Sequence, residues 1–210
     1  MIVLNHITAG YPNAPQVLHN LSYAFDEPGV YALMGASGIG KTTLLRVLAG
    51  LEKPTTGSIT GTNDKRIVMM FQEDRLLPWS SVLQNVLLGM QEPDDQQALE
   101  ILKYLDIGDT AHLLPRELSG GMQRRVALAR AIAFNAHILL MDEPFTGVDT
   151  QTVARIAPYV RNAAPFILFT SHSVSDAAAM GANMLELVDC STLRIYTVTI
   201  QPPNAAKKLS

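Results

Sequence analysis

Cysteine is almost missing from this 210-residue sequence. Cys190 stands alone, which excludes an internal disulfide and a cysteine-based metal site. A single small thiol of this kind is expected in the core. Aromatic residues are scarce at 6%, and Trp79 is the one tryptophan. An excess of positive charge is also lacking: 16 Lys and Arg against 19 Asp and Glu give a net charge of −3. That balance argues against a broad nucleic-acid footprint. No run approaches the roughly 18 apolar residues needed to span a membrane. Met1 to His6 offers neither a charged n-region nor an apolar h-region, so no signal peptide is expected. There is no internal repeat and no low-complexity tract. These absences lead to the expectation of a soluble, cytoplasmic chain whose contact with a membrane would run through a partner.

What is present is a 48% hydrophobic content, enough for a full α/β core, in a length that favours one domain with an inserted subdomain. The first third alternates strand-like segments, Ile2 to Thr8, Val17 to Phe25, Val30 to Met34 and Arg66 to Phe71. Turn signals separate them at Gly10–Asn13, Glu27–Gly29 and Lys53–Gly57. From about Val82 to Ala133 the pattern is helical, and Asp94–Leu105 spaces its apolar residues by three and four with acids in the first turn. Strand and helix then alternate through Ile138–Met141, Thr150–Asn162, Phe166–Thr170, Val174–Met180 and Met184–Leu187. This predicts a wound α/β core, residues 1–72 and about 134–200, interrupted by a helical subdomain at about 73–133. The tail 201–210, with Pro202-Pro203 and Lys207-Lys208, reads as frayed.

The most specific stretch is Gly35-Ala36-Ser37-Gly38-Ile39-Gly40-Lys41-Thr42, between the strand Gly29–Met34 and a helix from Thr43 to Ala49 closed by Gly50. A glycine-rich turn lets backbone N–H groups converge on an anion, and the helix N-terminus adds partial positive charge. Lys41 can reach β- and γ-phosphates, and the Thr42 hydroxyl can ligate Mg²⁺. The sequence therefore predicts binding of a nucleoside triphosphate. A second motif, His137–Pro144, is an apolar strand that ends in Asp142 and Glu143. Acids at the carboxyl end of such a strand sit in the crevice where α/β sheets hold ligands. Asp142 suits Mg²⁺, and Glu143 is placed to polarise a water against the γ-phosphate. A third motif, Leu118-Ser119-Gly120-Gly121-Met122-Gln123, opens a helix from Met122 to Phe134 with Ser119 as N-cap. Two glycines at a helix start are unfavourable unless something approaches the backbone closely, which suggests a second phosphate-facing terminus.

The order Gly35–Thr42, Gln72, Leu118–Gln123, Ile138–Glu143, Asp149 and His172 resembles the nucleotide-binding subunit of ABC transporters, over about residues 1 to 187. The resemblance implies a P-loop NTPase (RecA-like) core with an N-terminal antiparallel β segment and an inserted helical subdomain. It further implies Mg²⁺-dependent ATP hydrolysis in an antiparallel homodimer or heterodimer. Each ATP would lie between Gly35, Ser37, Gly38, Gly40, Lys41, Thr42 and Thr43 of one protomer and Ser119, Gly120 and Gly121 of the other. Tyr11 matches the aromatic that stacks on adenine. Gln72 matches the glutamine that touches Mg²⁺ and the attacking water and links the core to the helical insertion. Asp149 matches the loop that crosses to the opposite site, and His172 the switch histidine on the γ-phosphate.

Met122, Gly147 and Ser173 depart from common forms of the pattern; only Ser173, where aspartate is frequent, bears on local support of its loop. Arg75-Leu76-Leu77-Pro78-Trp79 together with Leu118–Met122 is similar to importer ATPases of the nitrate, sulfonate and taurine type. That similarity implies a permease partner docking near Glu73, Arg75, Leu77 and Trp79, a substrate-binding protein in the complex, and a peripheral position on the inner face of the cell membrane. The sequence ends soon after its core strands, so no regulatory C-terminal domain is expected, and the charge balance leaves no nucleic-acid partner expected. An exporter or lipoprotein-release ATPase, and a non-transport ATPase of the same family, remain alternatives at this point.

Overall fold

The computed structural model of the chain describes residues 1–196, so the tail expected at 201–210 lies outside the described residues. Two strands, β1 (Ile2–Tyr11) and β2 (Ala14–Phe25), form an antiparallel hairpin in which Tyr11 faces Ala14 across Pro12 and Asn13. Strand β3 (Gly29–Met34) leads through the glycine-rich turn into α1 (Lys41–Leu48). Strand β4 (Thr56–Thr60) pairs antiparallel with the free edge of β1. It was not anticipated, because Thr56 and Gly57 also read as the end of a turn.

After β5 (Ile67–Met70) come α2 (Val82–Leu87), α3 (Asp95–Tyr104) and α4 (Gly120–Ala133), with two short 3₁₀ turns between α3 and α4. Asp94, read from the sequence as an acid of the first helical turn, instead stands just before α3 and caps it by accepting from the N–H groups of Gln96 and Gln97. The remainder is β6 (Ile138–Met141), α5 (Thr150–Val160), β7 (Phe166–Thr170), α6 (Val174–Ala179), β8 (Asn183–Leu187) and β9 (Leu193–Tyr196). Strand β9 runs antiparallel to β8 and has no counterpart in the sequence reading.

The main sheet has the order β5-β6-β7-β3-β8-β9, parallel from β5 through β8. Its inner strands are buried on both faces, which is why they read as continuous apolar runs. The period of two divides their side chains. Tyr31, Leu33, Ile138, Leu140, Phe166 and Leu168 pack with α1 and the antiparallel sheet. Ala32, Leu139, Met141, Ile167 and Phe169 pack with α2 through α6. The helical insertion thus shares one continuous apolar cluster with the sheet face it covers. Because β3, β5, β6 and β7 are parallel, their carboxyl ends open on one edge. The glycine-rich turn, Gln72, Asp142-Glu143 and His172 all follow those ends.

The structure corrects one expectation in this region. Cys190 is exposed, not in the core. It sits in the tight turn between β8 and β9, where Asp189 accepts from Ser191, and its carbonyl accepts from the His19 N–H at 2.8 Å. The backbone at this position, and not the thiol, makes the structural contact.

Candidate active site

Helix α1 begins at Lys41 with Gly40 as N-cap at φ 117°. A Cβ on Gly40 would lie 3.0 Å from Leu18 Cδ2 and 3.2 Å from Val17 Cγ1, so both the backbone angle and β2 demand glycine there. No side chain caps this helix, which leaves its first N–H groups to an incoming anion. Lys41, only 7% exposed, donates from Nζ to the carbonyls of Gly35 at 2.8 Å and Ala36 at 2.9 Å. Burial lowers its pKa from the ordinary lysine value, while the carboxylates of Glu143 and Asp142 pull it back up.

The Thr42 hydroxyl donates to Asp142 Oδ2 at 2.7 Å, joining the start of α1 to the end of β6. The other oxygen of Asp142 accepts from Thr170 Oγ1, also at 2.7 Å. Thr170 Oγ1 in turn accepts the Glu143 N–H at 2.8 Å. Glu143 has φ 51°, a left-handed conformation that costs a non-glycine residue about 1–3 kcal/mol and that only its surroundings can enforce. One of its carboxylate oxygens lies 3.3 Å from His172 Nε2 and the other accepts from Thr146 Oγ1 at 3.1 Å. The loop that carries His172 is held by hydroxyls: Ser173 N–H donates to Ser171 Oγ at 2.9 Å, and Ser173 Oγ accepts from the Asp176 N–H. Serine at 173 therefore supports the loop as the cap of α6.

These groups surround a cavity of about 320 Å³. It brings together Tyr11, Ser37, Gly38, Gly40, Lys41, Thr42, Thr43, Gln72, Asp142, Glu143 and His172. Tyr11 ends β1, where the sequence suggested a turn, and its hydroxyl lies 3.4 Å from Thr43 Oγ1. The Arg46 guanidinium stands 5.9 Å from the centre of the Tyr11 ring. Gly35 belongs to the same loop through its carbonyl, but Ser119, Gly120, Gly121 and Asp149 do not line the cavity. Ser119 is exposed and caps α4, accepting from the Met122 N–H at 3.3 Å. A Cβ on Gly120 would meet nothing, whereas one on Gly121 would lie 2.6 Å from the Gly147 carbonyl oxygen. The close approach inferred from the paired glycines is thus met inside the chain at Gly121. Asp149 is exposed and caps α5 through the Thr152 N–H; hydrogen bonding from the Thr152 hydroxyl and then from its N–H holds the carboxyl below the ordinary range.

Sequence reasoning missed two side chains here. Thr170 was treated only as the end of a strand. Arg124 falls within the helix read from Met122 to Phe134 and was given no role there, yet it is 3% exposed and bonds to the carbonyls of Asp142 and Glu143. Its spacing carried a signal: 124, 127, 128 and 131 are buried positions of one helix face. Beside the site, Trp79 is 74% exposed and Leu88 60% exposed. A second cavity of about 270 Å³ lies nearby, bordered by Glu73, Arg75 and Leu88 and floored by apolar residues such as Met69 and Phe134. Leu77 is half-buried, and its backbone N–H donates to the side-chain carbonyl of the buried Asn85 at 2.8 Å.

The sequence pattern of the family described as "ABC transporter" matches residues 18–146. An aliphatic sulfonates import ATP-binding protein (SsuB 1) of Shouchella clausii is 35% identical over 89% of this chain and 77% of that protein. A protein of the same name from Rhodococcus jostii is 41% identical over 82% of this chain and 74% of its own length. A taurine import ATP-binding protein (TauB) of Rhizobium johnstonii is 37% identical, covering 84% of this chain and 74% of that protein. Among solved structures, a dimeric bacterial ABC transporter cassette superposes with a TM-score of 0.80 at 28% identity, over 93% of this chain and 98% of that one. A post-hydrolysis dimer of the same cassette, bound to ADP and Pi, gives 0.81 at the same identity and coverage. With its phosphate loop, its carboxylate pair and its separate serine-capped helix, the chain belongs to the ABC transporter family as an ATP-binding cassette.

Proposed function

We propose that the chain binds ATP with Mg²⁺ in the cavity between α1 and the end of β6, hydrolyses it as a dimer, and so powers import of a small solute. The observation that carries this reading is the convergence of Lys41, Thr42, Asp142, Glu143 and His172 on one cavity at the carboxyl edge of a parallel sheet. Among the described residues no three His, Cys, Asp or Glu side chains gather into a metal cage. Mg²⁺ needs none, since one or two protein oxygens beside the phosphates suffice. Thr42 Oγ1 and Asp142 Oδ2, 2.7 Å apart and both hard oxygen donors, fit it, with Gln72 at the cavity rim. A bound Mg²⁺ would neutralise charge that develops on the phosphates.

The chain's own residues then do the rest. Lys41 leaves the two carbonyls it now bonds and turns its ammonium to the β- and γ-phosphates, assisted by the N–H groups of α1. Glu143, set by Thr170 and Thr146, orients the attacking water, and His172 contacts the γ-phosphate from the far side of Glu143. Tyr11, with Arg46 behind it, offers a ring for the adenine. Ser119, Gly120, Gly121 and Asp149 act on the partner's nucleotide; they lie at helix ends outside their own cavity, with Ser119, Gly120 and Asp149 exposed.

The same reading divides the chain into an α/β core and a helical subdomain at about 73–133. It places a permease element on the groove between Arg75 and Leu88, beside the exposed Trp79. No helix among the described residues is long and apolar enough to cross a membrane, so peripheral attachment to the inner face of the membrane would come through that permease. The relatives named for sulfonates and taurine support import of that solute class, selected by the permease and a substrate-binding protein.

The Glu143→Gln protein tests the proposal. It should bind ATP but not turn it over, and should accumulate an ATP-bound dimer by gel filtration. Turnover at the parent rate would remove Glu143 from the role. Trp79→Ala should weaken copurification with the permease, and full retention would move the docking surface elsewhere.

A further inference from the structure

Arg124 is the most completely enclosed cation of the chain's described residues, and the proposed chemistry leaves it without a task. A guanidinium taken out of water is costly unless its donors are met, and here every acceptor comes from outside its own helix. Nη1 donates to the carbonyls of Phe71 at 2.9 Å and Gln72 at 2.8 Å and to Asp74 Oδ1 at 2.8 Å. Nη2 donates to the carbonyls of Asp142 and, at 2.8 Å, of Glu143; Nε donates to the Glu143 carbonyl at 3.1 Å. The fork therefore grips two loops at once. One carries Gln72 and the other carries Glu143.

The grip falls where the backbone needs it. Glu143 is held in a left-handed conformation at φ 51°, which only surrounding contacts can maintain. Its N–H is fixed by Thr170 Oγ1 at 2.8 Å and its carbonyl by two donors of Arg124. The same helix holds the Gln72 loop a second time, since Arg130 donates to the carbonyls of Asp74 at 2.7 Å and Arg75 at 2.9 Å. Arg124 lies just over one helical turn from the Ser119 cap, on the rigid helix that Ser119 begins.

We propose that Arg124 is a positioning residue that fixes the Glu143 carboxylate and the Gln72 loop to the serine-capped end of α4. The two loops and the partner-facing helix end then move as one body. This rests on the reading of Glu143 as the group that orients water. Two features of arginine matter: the charge that balances Asp74, and the planar fork that spans both loops. Lysine keeps the first and loses the second.

The test measures steady-state hydrolysis, nucleotide binding and thermal unfolding for Arg124→Lys, Arg124→Gln and Glu143→Gln. Arg124→Lys should bind a fluorescent ATP analogue with nearly unchanged Kd and KM, yet lose about tenfold or more in kcat, the signature of a group felt in the transition state. Methylguanidinium added to Arg124→Ala should restore part of the kcat and leave the parent protein unaffected. Parent-like kcat in Arg124→Lys, or a raised KM at unchanged kcat, would overturn the proposal. If Arg124→Lys does not fold, Arg124→Gln is judged by the same split. Failure of both to fold would make the residue a support of the core only and equally overturn it. A Glu143→Gln protein that still turns over ATP would sink the reading of Glu143 itself, whatever the arginine variants do.

Discussion

Two helix starts in this chain point toward phosphate chemistry, and they are built in opposite ways. The start of α1 is embedded: Lys41 and Thr43 are buried, Gly40 is wedged against β2, and Lys41 and Thr42 are bonded within the same chain. The start of α4 is a surface. Ser119 and Gly120 are exposed, the serine hydroxyl serves its own helix, and the space around Gly120 is open. An embedded helix start with no side-chain cap is a pocket that one chain completes. A capped, open one can meet a ligand only if another surface brings it. The geometry of one protomer thus separates residues that line its own cavity from those that, on the proposed reading, act across a dimer.

The largest expected effect lies at the embedded end. Lys41→Ala removes the lysine ammonium from the cavity and should lower turnover by about a hundredfold or more, the usual loss when a preorganised donor is deleted from a charge-developing site. It should also weaken nucleotide binding, measured with a fluorescent analogue. Retained binding and turnover would mean that the phosphates lie elsewhere.

At the open end the split should run the other way. Ser119→Arg places bulk and charge on an exposed cap, so the protomer should still fold and bind ATP with parent affinity. Hydrolysis should nevertheless fail, and the ATP-bound dimer should not form. A large loss of ATP affinity in the monomer would show that the cap touches its own nucleotide, and the contrast between the two helix starts would collapse.

The paired glycines sharpen this further. A Cβ at Gly121 would meet the Gly147 carbonyl at 2.6 Å, so Gly121→Ala should destabilise the protomer by about 1–3 kcal/mol, as overpacking does. Gly120→Ala meets nothing and should leave thermal unfolding unchanged or slightly raised, since alanine is favoured over glycine in a helix by up to about 1 kcal/mol. It should still impair hydrolysis if the partner's phosphate passes there. Equal destabilisation by both substitutions would mean that the two positions share one environment.

Much of this contrast was legible before the structure. The apolar run Ile138–Met141 ends abruptly at two carboxylates, and β6 has those bounds. Ser119 reads as an N-cap and caps α4, whereas the same capping role of Asp94 and Ser173 shows only in the structure. Less was visible where pairing is non-local. Strand β4 is short and mostly exposed, and β2, β3 and α1 separate it in sequence from its partner β1, so no local period announces it. Cys190 looked like core because a lone thiol usually is, but its turn is set by Asp189 and Ser191. The role of Arg124 rests on carbonyls of Phe71, Gln72, Asp142 and Glu143 that are distant in sequence, and the contact between Glu143 and His172 depends on the parallel order of β6 and β7.

The smallest expected effect concerns the packing behind the embedded helix. The apolar cluster that seats Leu44 and Leu45 of α1 includes Phe25, whose ring meets Tyr23, Tyr31 and Phe166 edge-on at centroid distances of 4.9, 5.2 and 5.2 Å. The Tyr23 hydroxyl is buried there with no hydrogen-bond partner. Burial, reinforced by Tyr31 and Asp26, pushes its pKa from 10.0 up to about 12. A folded-state pKa raised above the unfolded value contributes stability in full below the unfolded pKa and loses it as pH rises through the folded one. For Tyr23 that window is pH 10 to about 12. Phenylalanine keeps the ring and removes both the unpartnered hydroxyl and its titration. Tyr23→Phe should therefore match the parent closely in urea midpoint at pH 7 and exceed it increasingly above pH 10. Nucleotide binding at α1 and the behaviour of Ser119 variants should not change. Identical alkaline losses in both proteins would mean that the Tyr23 hydroxyl is solvated in the native state and that the packing behind α1 is looser than its rings suggest.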